Sequence, residues 1–170
     1  INDVRPPRGV TGQRLRTFVE NGGGLLVVLG ERSSWPADGL DLLPGSFGAP
    51  ANLSGSRGGS LGYIDYSHPV FEPFSAPRSG DLLSARVFRY RTLETREADR
   101  VLARFSDGSV ALAERRVGSG KVLLWTSTLD SFWNQLALKP VFLPFVHQVS
   151  RYLADFSESM PWFTVGQVLE

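Results

Sequence analysis

The pattern of hydrophobic and polar positions is clearest in the segment LRTFVENGGGLLVVLG. Leu15, Phe18 and Val19 have the i, i+3, i+4 spacing of a single helical face, which predicts an amphipathic helix over residues 12–21. Thr11 is the expected N-cap, because its hydroxyl can accept from a free backbone N–H at the first turn.

A run of glycines separates this helix from an apolar strand. Asn21-Gly22 supplies the left-handed residue that ends a helix, so we expect a positive φ at Gly22. Residues 25–29 are apolar without alternation, which is typical of a strand buried on both faces in a parallel sheet covered by helices.

The second half of the chain predicts three strands and a helix. The expected strands are residues 101–105, 110–116 and 121–126. Between the first two strands, Asp107-Gly108 favours a tight hairpin turn in which both central residues have positive φ. A continuous apolar stripe predicts the final helix, with Pro140 or Pro144 in its first turn. The stripe consists of Phe142, Phe145, Val146, Val149, Tyr152, Leu153 and Phe156.

The remaining segments carry weaker patterns. Residues 30–60 are rich in Gly, Ser, Pro and Ala and predict mainly loop, with one short helix over 37–43 and a flexible run, NLSGSRGGS. Short strands are expected over 61–66 and 83–93, and a single helical turn over 69–74.

Composition indicates one domain of 170 residues, with a net charge of +1 and no basic run that would indicate nucleic-acid binding. No apolar run approaches the roughly 20 residues of a bilayer span, so we expect a soluble piece. The opening INDV reads like the end of a strand, and FTVGQVLE reads like the start of another module. We therefore expect an excised domain over 1–156, followed by a linker or new module over 157–170.

Two motifs resemble a known family. The chain resembles the class I glutamine amidotransferase-like superfamily in two segments, FVENGGGLLVVLG, and GSGKVLLWTSTLDSFWN followed by KPVFLPFVH. The likeness is to the branch found in bacterial membrane proteins with a BatA-type N-terminus and a von Willebrand factor A domain. The resemblance implies a flavodoxin-like fold within a membrane-anchored envelope protein, mainly outside the cytoplasmic membrane. Partners would be other domains of the same chain or envelope proteins, and the membrane would be reached only through segments outside this chain.

The chain departs from this family where the chemistry should be. Glutaminases attack with a cysteine thiolate, and this sequence has no cysteine. The resemblance places a catalytic histidine just past the strand, in the segment WTSTLDSFWN, and that segment contains no histidine. His147 is predicted on the solvent face of the last helix, and His68, before Pro69, is interpreted as capping or packing a loop. We expect no catalytic residue, no metal site and no cofactor.

Polar residues follow both apolar strands. If residues 25–29 and 122–126 are parallel neighbours near the sheet centre, their carboxyl ends should open into one crevice, without a nucleophile–base hydrogen bond. The candidate ligand-binding residues there are Glu31, Arg32, Ser127, Asp130, Trp133 and Asn134. The structural alternative is that Asp130 caps the following turn and Trp133 plugs the end of the sheet.

The predicted fold is α/β, a three-layer, flavodoxin-like and mainly parallel sheet with helices on both faces and an antiparallel β extension over residues 100–116. The predicted function is a non-catalytic interaction or scaffold domain. Two alternatives stay open. One is a hydrolase or amidotransferase-like enzyme using Ser33, Ser127 or Glu31, and the other is a small-ligand or glycan-binding module around Trp133.

Overall fold

A computed structural model describes residues 1–35, 41–53, 58–76 and 80–155. The α-helices there are α1 (Gly9–Glu20) and α2 (Phe142–Leu153). The strands are β1 (Gly24–Val28), β2 (Ser46–Asn52), β3 (Leu61–Ile64), β4 (Arg89–Glu94), β5 (Arg100–Phe105), β6 (Val110–Val117) and β7 (Gly120–Trp125). Short 3₁₀ helices cover Glu72–Phe74, Leu82–Ser84 and Leu136–Leu138.

Five strands form one mixed sheet in the order β1-β7-β6-β5-β3, while β2 and β4 form an antiparallel ribbon. β1 and β7 are parallel neighbours, as predicted, with Leu25 opposite Val122 and Val28 opposite Trp125. The prediction of a mainly parallel sheet is wrong, because the β7–β6, β6–β5 and β5–β3 pairings are antiparallel. The tight turns after β5 and β6 leave no room for the crossover that a parallel pair needs. The predicted antiparallel extension is confirmed by β5 and β6.

The N-terminal residues extend the sheet beyond β1. Asn2 makes a parallel bridge to Val28, supported by Val28 N–H donating to Ile1 O at 2.9 Å and Asp3 N–H donating to Val28 O at 2.9 Å. Residues 1–3 therefore pair with the edge of the sheet beside β1.

The β5–β6 hairpin differs from the predicted turn. Gly108 has a φ of 87°, but Asp107 is not among the described residues with positive φ. Phe105 N–H donates to Ser109 O at 2.8 Å, and Gly108 N–H donates to Phe105 O at 2.9 Å. These bonds close a three-residue loop with a glycine bulge, in which a single left-handed residue is sufficient.

The apolar runs of β1 and β7 are buried on both faces, as predicted. One face packs with α1 through Val19, and the opposite face packs with α2 through Phe145 and Val149. The strand residues on the α1 side are Leu25, Val27, Val122 and Leu124, and those on the α2 side are Leu26, Val28, Leu123 and Trp125. The two helices therefore cover opposite faces of the parallel pair.

Helix α1 ends as expected but begins earlier. Its N-cap is Arg8, without a side-chain cap, so Thr11 lies inside the helix and the capping prediction is wrong. Gly22 has a φ of 104°, and its N–H donates to Val19 O while Gly23 N–H donates to Phe18 O, both at 2.9 Å. This is a Schellman ending. Phe18 is 56% exposed rather than core, because its ring lies against Gly23 instead of the sheet.

Several weaker predictions need correction. Part of the loop predicted over 30–60 is β2, whose partner β4 lies about 40 residues later in the chain. The strand predicted over 83–93 begins only at Arg89. Some predictions fall wholly or partly outside the described residues. These are parts of the predicted helix over 37–43 and of the NLSGSRGGS run, Phe156, and residues 157–170. No helix in the described part of the chain is long and apolar enough to cross a membrane.

Candidate functional site

Strand β4 crosses the carboxyl ends of β1 and β7, where the ligand crevice was expected. Arg91 N–H donates to Thr126 O at 2.7 Å, which fixes β4 across the end of β7. The Arg91 guanidinium donates from Nε to Gly30 O at 3.0 Å, and from Nη2 to Glu31 O at 2.9 Å and Ser33 O at 3.3 Å. This side chain therefore lies across the position beyond β1 where the crevice was expected, and we infer that it closes the crevice.

Arg89 connects two of the predicted site residues. Its Nη1 lies 2.8 Å from Oε2 of Glu31, and its guanidinium lies 5.1 Å from the ring centroid of Trp133. Trp133 itself is only 6% exposed. The Ser127 hydroxyl donates to Arg89 O at 2.8 Å. The two strand ends are thus joined through Arg89, which the sequence did not single out.

Asn134 holds the turn after β7 together. Its Nδ2 donates to Ser127 Oγ at 3.0 Å and to Thr128 O at 2.6 Å, while its Oδ1 accepts from Leu136 N–H at 2.9 Å. Asp130 accepts from Phe132 N–H at 2.9 Å, which is the capping role given as its structural alternative. Because these polar atoms serve the local backbone, the turn resembles a rigid cap more than a ligand site.

On the β1 side, Arg32 and Ser33 are tied to the N-terminal segment. Arg32 N–H donates to Asp3 Oδ1 at 2.9 Å, and the Ser33 hydroxyl donates to the same oxygen at 3.0 Å. Ser33 Oγ also accepts from Gly30 N–H at 2.8 Å. The strand ends were expected to lack a nucleophile–base hydrogen bond, whereas the Ser33 hydroxyl does bond the Asp3 carboxylate. Ser33 is nevertheless only 8% exposed, and its hydroxyl oxygen both donates a hydrogen bond to Asp3 and accepts one from Gly30. This leaves the hydroxyl little access to a substrate.

A buried polar cluster that the sequence did not predict joins β6, α2 and the turn before Glu72. His68 Nε2 lies 3.3 Å from Glu114 Oε2, and the Tyr152 hydroxyl donates to Glu114 Oε1. His68 Nδ1 accepts from Val70 N–H at 3.2 Å, so in the neutral ring Nε2 carries the proton and donates to Glu114. The rings of His68 and Tyr152 meet edge to face at 4.6 Å.

The electrostatics of this cluster favour a charged carboxylate. Burial raises the pKa of Glu114, but the hydrogen bonds from His68 and Tyr152 outweigh burial and hold that pKa below its ordinary value. Burial and the neighbouring carboxylate raise the pKa of Tyr152 well above its ordinary value. Both nitrogens of His68 are engaged, so the cluster offers no free base for catalysis.

The sequence carried partial signals of this cluster. His68 was interpreted as packing a loop, and it is 1% exposed. Glu114 follows the apolar VALA of β6 and precedes Arg115 and Arg116, so nothing in the strand VALAERRV marks it as the buried and partnered carboxylate that it is. His147 lies exposed on α2, as expected. Among the described residues, no group of three His, Cys, Asp or Glu side chains is arranged to hold a metal ion.

The comparisons show similarity of fold. No protein-family model and no curated protein matches the chain. The Salmonella typhimurium cytoplasmic protein STM3548 matches with a TM-score of 0.71 and 16% identity, over 87% of this chain and 62% of its own. The cytoplasmic protein STM1381 of Salmonella typhimurium LT2 matches with a TM-score of 0.61 and 23% identity, over 85% of this chain and 58% of its own.

A cold-adapted beta-galactosidase from Rahnella sp. R3 matches with a TM-score of 0.59 and 14% identity, over 89% of this chain but 22% of the enzyme. The chain spans about three fifths of the length of the two Salmonella proteins. At these identities the similarity shows a shared mixed α/β fold and carries no activity across.

Proposed function

We propose that this chain is a non-catalytic, amidotransferase-like domain that serves protein–protein interaction or scaffolding in a larger membrane-anchored protein of the bacterial envelope. The sequence motifs support the family assignment and the envelope location. We also propose that the fold is a variant of the flavodoxin-like three-layer arrangement, which the packing of α1 and α2 on opposite faces of the β1–β7 pair supports.

The observation that carries the non-catalytic proposal is the closure of the strand ends by Arg91. Open α/β sheets bind ligands beyond the carboxyl ends of their strands, and Arg91 there spends its Nε and Nη2 donors on three backbone carbonyls. A substrate would have to displace these bonds before it reached Ser127 or Ser33. The absence of cysteine removes the nucleophile that the family uses.

The two alternatives receive less support from the geometry. For the enzyme, the Ser33 hydroxyl does bond the Asp3 carboxylate, but Ser33 is only 8% exposed. Ser127 is fully buried, and its Oγ donates to Arg89 O and accepts from Asn134. For the glycan-binding module, an exposed aromatic face is needed, whereas Arg89 covers the ring of Trp133.

A turnover assay tests the non-catalytic proposal. The purified chain is incubated with glutamine and, separately, with an activated ester, and ammonia or alcohol release is compared with a heat-inactivated sample. We expect no difference. Release above the control that is abolished by Ser33→Ala or Ser127→Ala would establish an enzyme instead.

Cross-linking of the full-length parent protein tests the scaffold role. We expect deletion of residues 1–155 to remove specific protein cross-links from the parent in its own cells, while a Ser33→Ala, Ser127→Ala double variant retains them. An unchanged cross-link pattern after deletion would contradict the scaffold role.

A further inference from the structure

The outer edge of β1, on the side away from β7, is only half paired. Residues 1–3 pair in parallel with its C-terminal half, where the Ile1 ammonium donates to Leu26 O at 2.8 Å and Val28 N–H donates to Ile1 O at 2.9 Å. No described residue pairs with the other half, residues 24–26, on this side. We call that half and the helix side chains beside it the β1 slot, whose walls are Leu15, Phe18, Val146 and Leu153.

The floor of the β1 slot consists of backbone groups without partners. Leu26 O accepts from Ile1 on this side, and the N–H and C=O of one strand residue point the same way, so Leu26 N–H also faces the slot. Alternation along the strand gives Gly24 the same orientation. Among the described residues, neither Leu26 N–H nor Gly24 O has a hydrogen-bond partner there. Such an edge is a template for another strand.

Helix α1 holds apolar side chains over the slot. One flank of α1 lies over β6 and β7, because Glu20 O accepts from Ser119 N–H at 3.0 Å in the turn between those strands. Phe18 lies about 160° around the helix from Glu20, so its flank overhangs the outer edge of β1. Phe18 is 56% exposed and Leu15 is only half-buried. Both therefore have apolar surface left for a further neighbour.

Helix α2 forms the wall on the opposite face of the sheet. Tyr152 points toward β6, where its hydroxyl bonds a carboxylate, and Leu153 lies about 100° further around the helix. A Cβ at Gly24 would lie 2.6 Å from Leu153 Cβ, so Leu153 lies over the start of β1. Leu153, Val146 and Leu26 are all half-buried. The slot is thus apolar on both faces of the sheet, like the strands beside it.

The pairing of residues 1–3 decides the direction and register of the strand that fits. In a parallel ladder that continues from Ile1, the second residue before Ile1 would accept from Leu26 N–H and donate to Gly24 O. Burial lowers the pKa of the Ile1 ammonium, so its position suits an uncharged peptide N–H better than a charge.

The same pairing disfavours a separate molecule. A strand from another protein would have to end against the Ile1 ammonium, and residues 24–26 would offer it only a few hydrogen bonds. A continuous chain avoids both costs, because it is held in place by its covalent link. A second copy related by a two-fold axis would run antiparallel to β1 and would meet residues 1–3.

We propose that the β1 slot is filled by an apolar strand that runs parallel to β1 and continues directly into Ile1, supplied by the larger protein that contains this chain. This inference rests on the proposed place of the chain in a larger protein and names the part of that protein that it contacts. Successive side chains of the strand would pack against α1 and α2 in turn. Helix α1 would then connect two neighbouring parallel strands.

Two N-terminal extensions of the chain test the proposal. One places four valines before Ile1, and the other places four threonines, which have nearly the same shape and also favour strands but carry a hydroxyl. Hydrogen exchange of Leu26 N–H, measured by NMR, reports whether the extension pairs with β1. We expect the valine extension to slow this exchange at least about tenfold and to raise the melting temperature by about 4 °C. The threonine extension should raise it by less than about half as much.

Matched variants locate the contact on α1. In the valine-extended chain, Phe18→Ala should remove about half of the gain in melting temperature, because Phe18 forms a wall of the slot. Val10→Ala is the control, since Val10 is 67% exposed and lies on the outer face of α1, and it should leave the gain unchanged. Each variant is compared with and without the extension, so that its own effect on stability cancels.

Three results would overturn the proposal: unchanged Leu26 exchange in the valine-extended chain, equal gains from valine and threonine, or equal losses in Phe18→Ala and Val10→Ala. Slower Leu26 exchange together with dimers in analytical ultracentrifugation would assign the slot to a second copy and also overturn it. None of these results depends on the turnover assay or on cross-linking of the parent protein, so failure of this inference is distinguishable from failure of the proposed function.

Discussion

Tyr152→Phe removes one of the two donors that stabilise the buried Glu114 carboxylate. The hydroxyl donates to Glu114 Oε1, and the carboxylate is almost fully enclosed. A buried polar group that loses its partner costs about 1–3 kcal/mol, and the ionised acceptor places this change in the upper part of the range. The ring that packs against His68 and Lys121 is retained, so the lost hydrogen bond dominates the effect.

The effect should depend on pH with a defined sign. The folded-state pKa of Glu114 lies below its ordinary value, so the stability contributed by the network is complete above about pH 4.3 and is lost as the pH falls through the folded pKa. Without the Tyr152 donor the pKa of Glu114 rises, and the variant protonates at higher pH than the parent. The deficit of the variant should be largest near pH 7 and smaller below about pH 4.

Urea unfolding followed by tryptophan fluorescence measures this difference. Tyr63→Phe is the control, because Tyr63 is 50% exposed, and we expect it to change the free energy of unfolding by less than about 0.5 kcal/mol. A Tyr152→Phe variant as stable as this control at pH 7, or with a deficit that does not shrink in acid, would refute the argument.

Four further substitutions test the fold by thermal and urea unfolding. Gly120→Ala should lower the free energy of unfolding by about 3 kcal/mol, because the added Cβ would lie 1.9 Å from Val19 O. Gly108→Ala, at a φ of +87° with open space around it, should lower it by only about 1 kcal/mol. Equal losses in the two variants would contradict this packing. Gly22→Val should destabilise by roughly 1 kcal/mol or more because of its φ of +104°, and an unchanged melting temperature would count against the helix ending. Arg91→Gln should cost about 2 kcal/mol through lost bonds to carbonyls, and a neutral result would argue against closure of the strand ends.

The sequence was sufficient where a local pattern decides the structure. The apolar runs of residues 25–29 and 122–126 predicted the parallel pair, because strands covered on both faces are typically apolar without alternation. Gly22 predicted the helix end for a similarly local reason. By contrast, β2 reads SFGAPAN, and its Gly and Pro disfavour a strand. It forms because β4, far along the chain, supplies its ladder partner.

The adjacency of the two strand ends was predicted, but not the contacts that are made there. The ends of β1 and β7 do lie side by side, as the register requires, and Glu31 and Trp133 are joined there through Arg89. The position of Arg91 between the two strand ends depends on where β4 crosses the sheet. No local sequence pattern specifies that crossing. The partners of Glu114 also lie 46 and 38 residues away, beyond any sequence window.

The state of the Arg91 side chain tests the central claim, the closure of the strand ends, most directly. NMR measures solvent exchange of the arginine Nε–H groups, with the Arg91 signal assigned by its loss in Arg91→Gln and Arg14 as the exposed reference. The account predicts a resolved Arg91 signal that exchanges much more slowly than that of Arg14, because its Nε–H is held by Gly30 O. Exchange of Arg91 as fast as that of Arg14 would show that the crevice is open and would contradict the account.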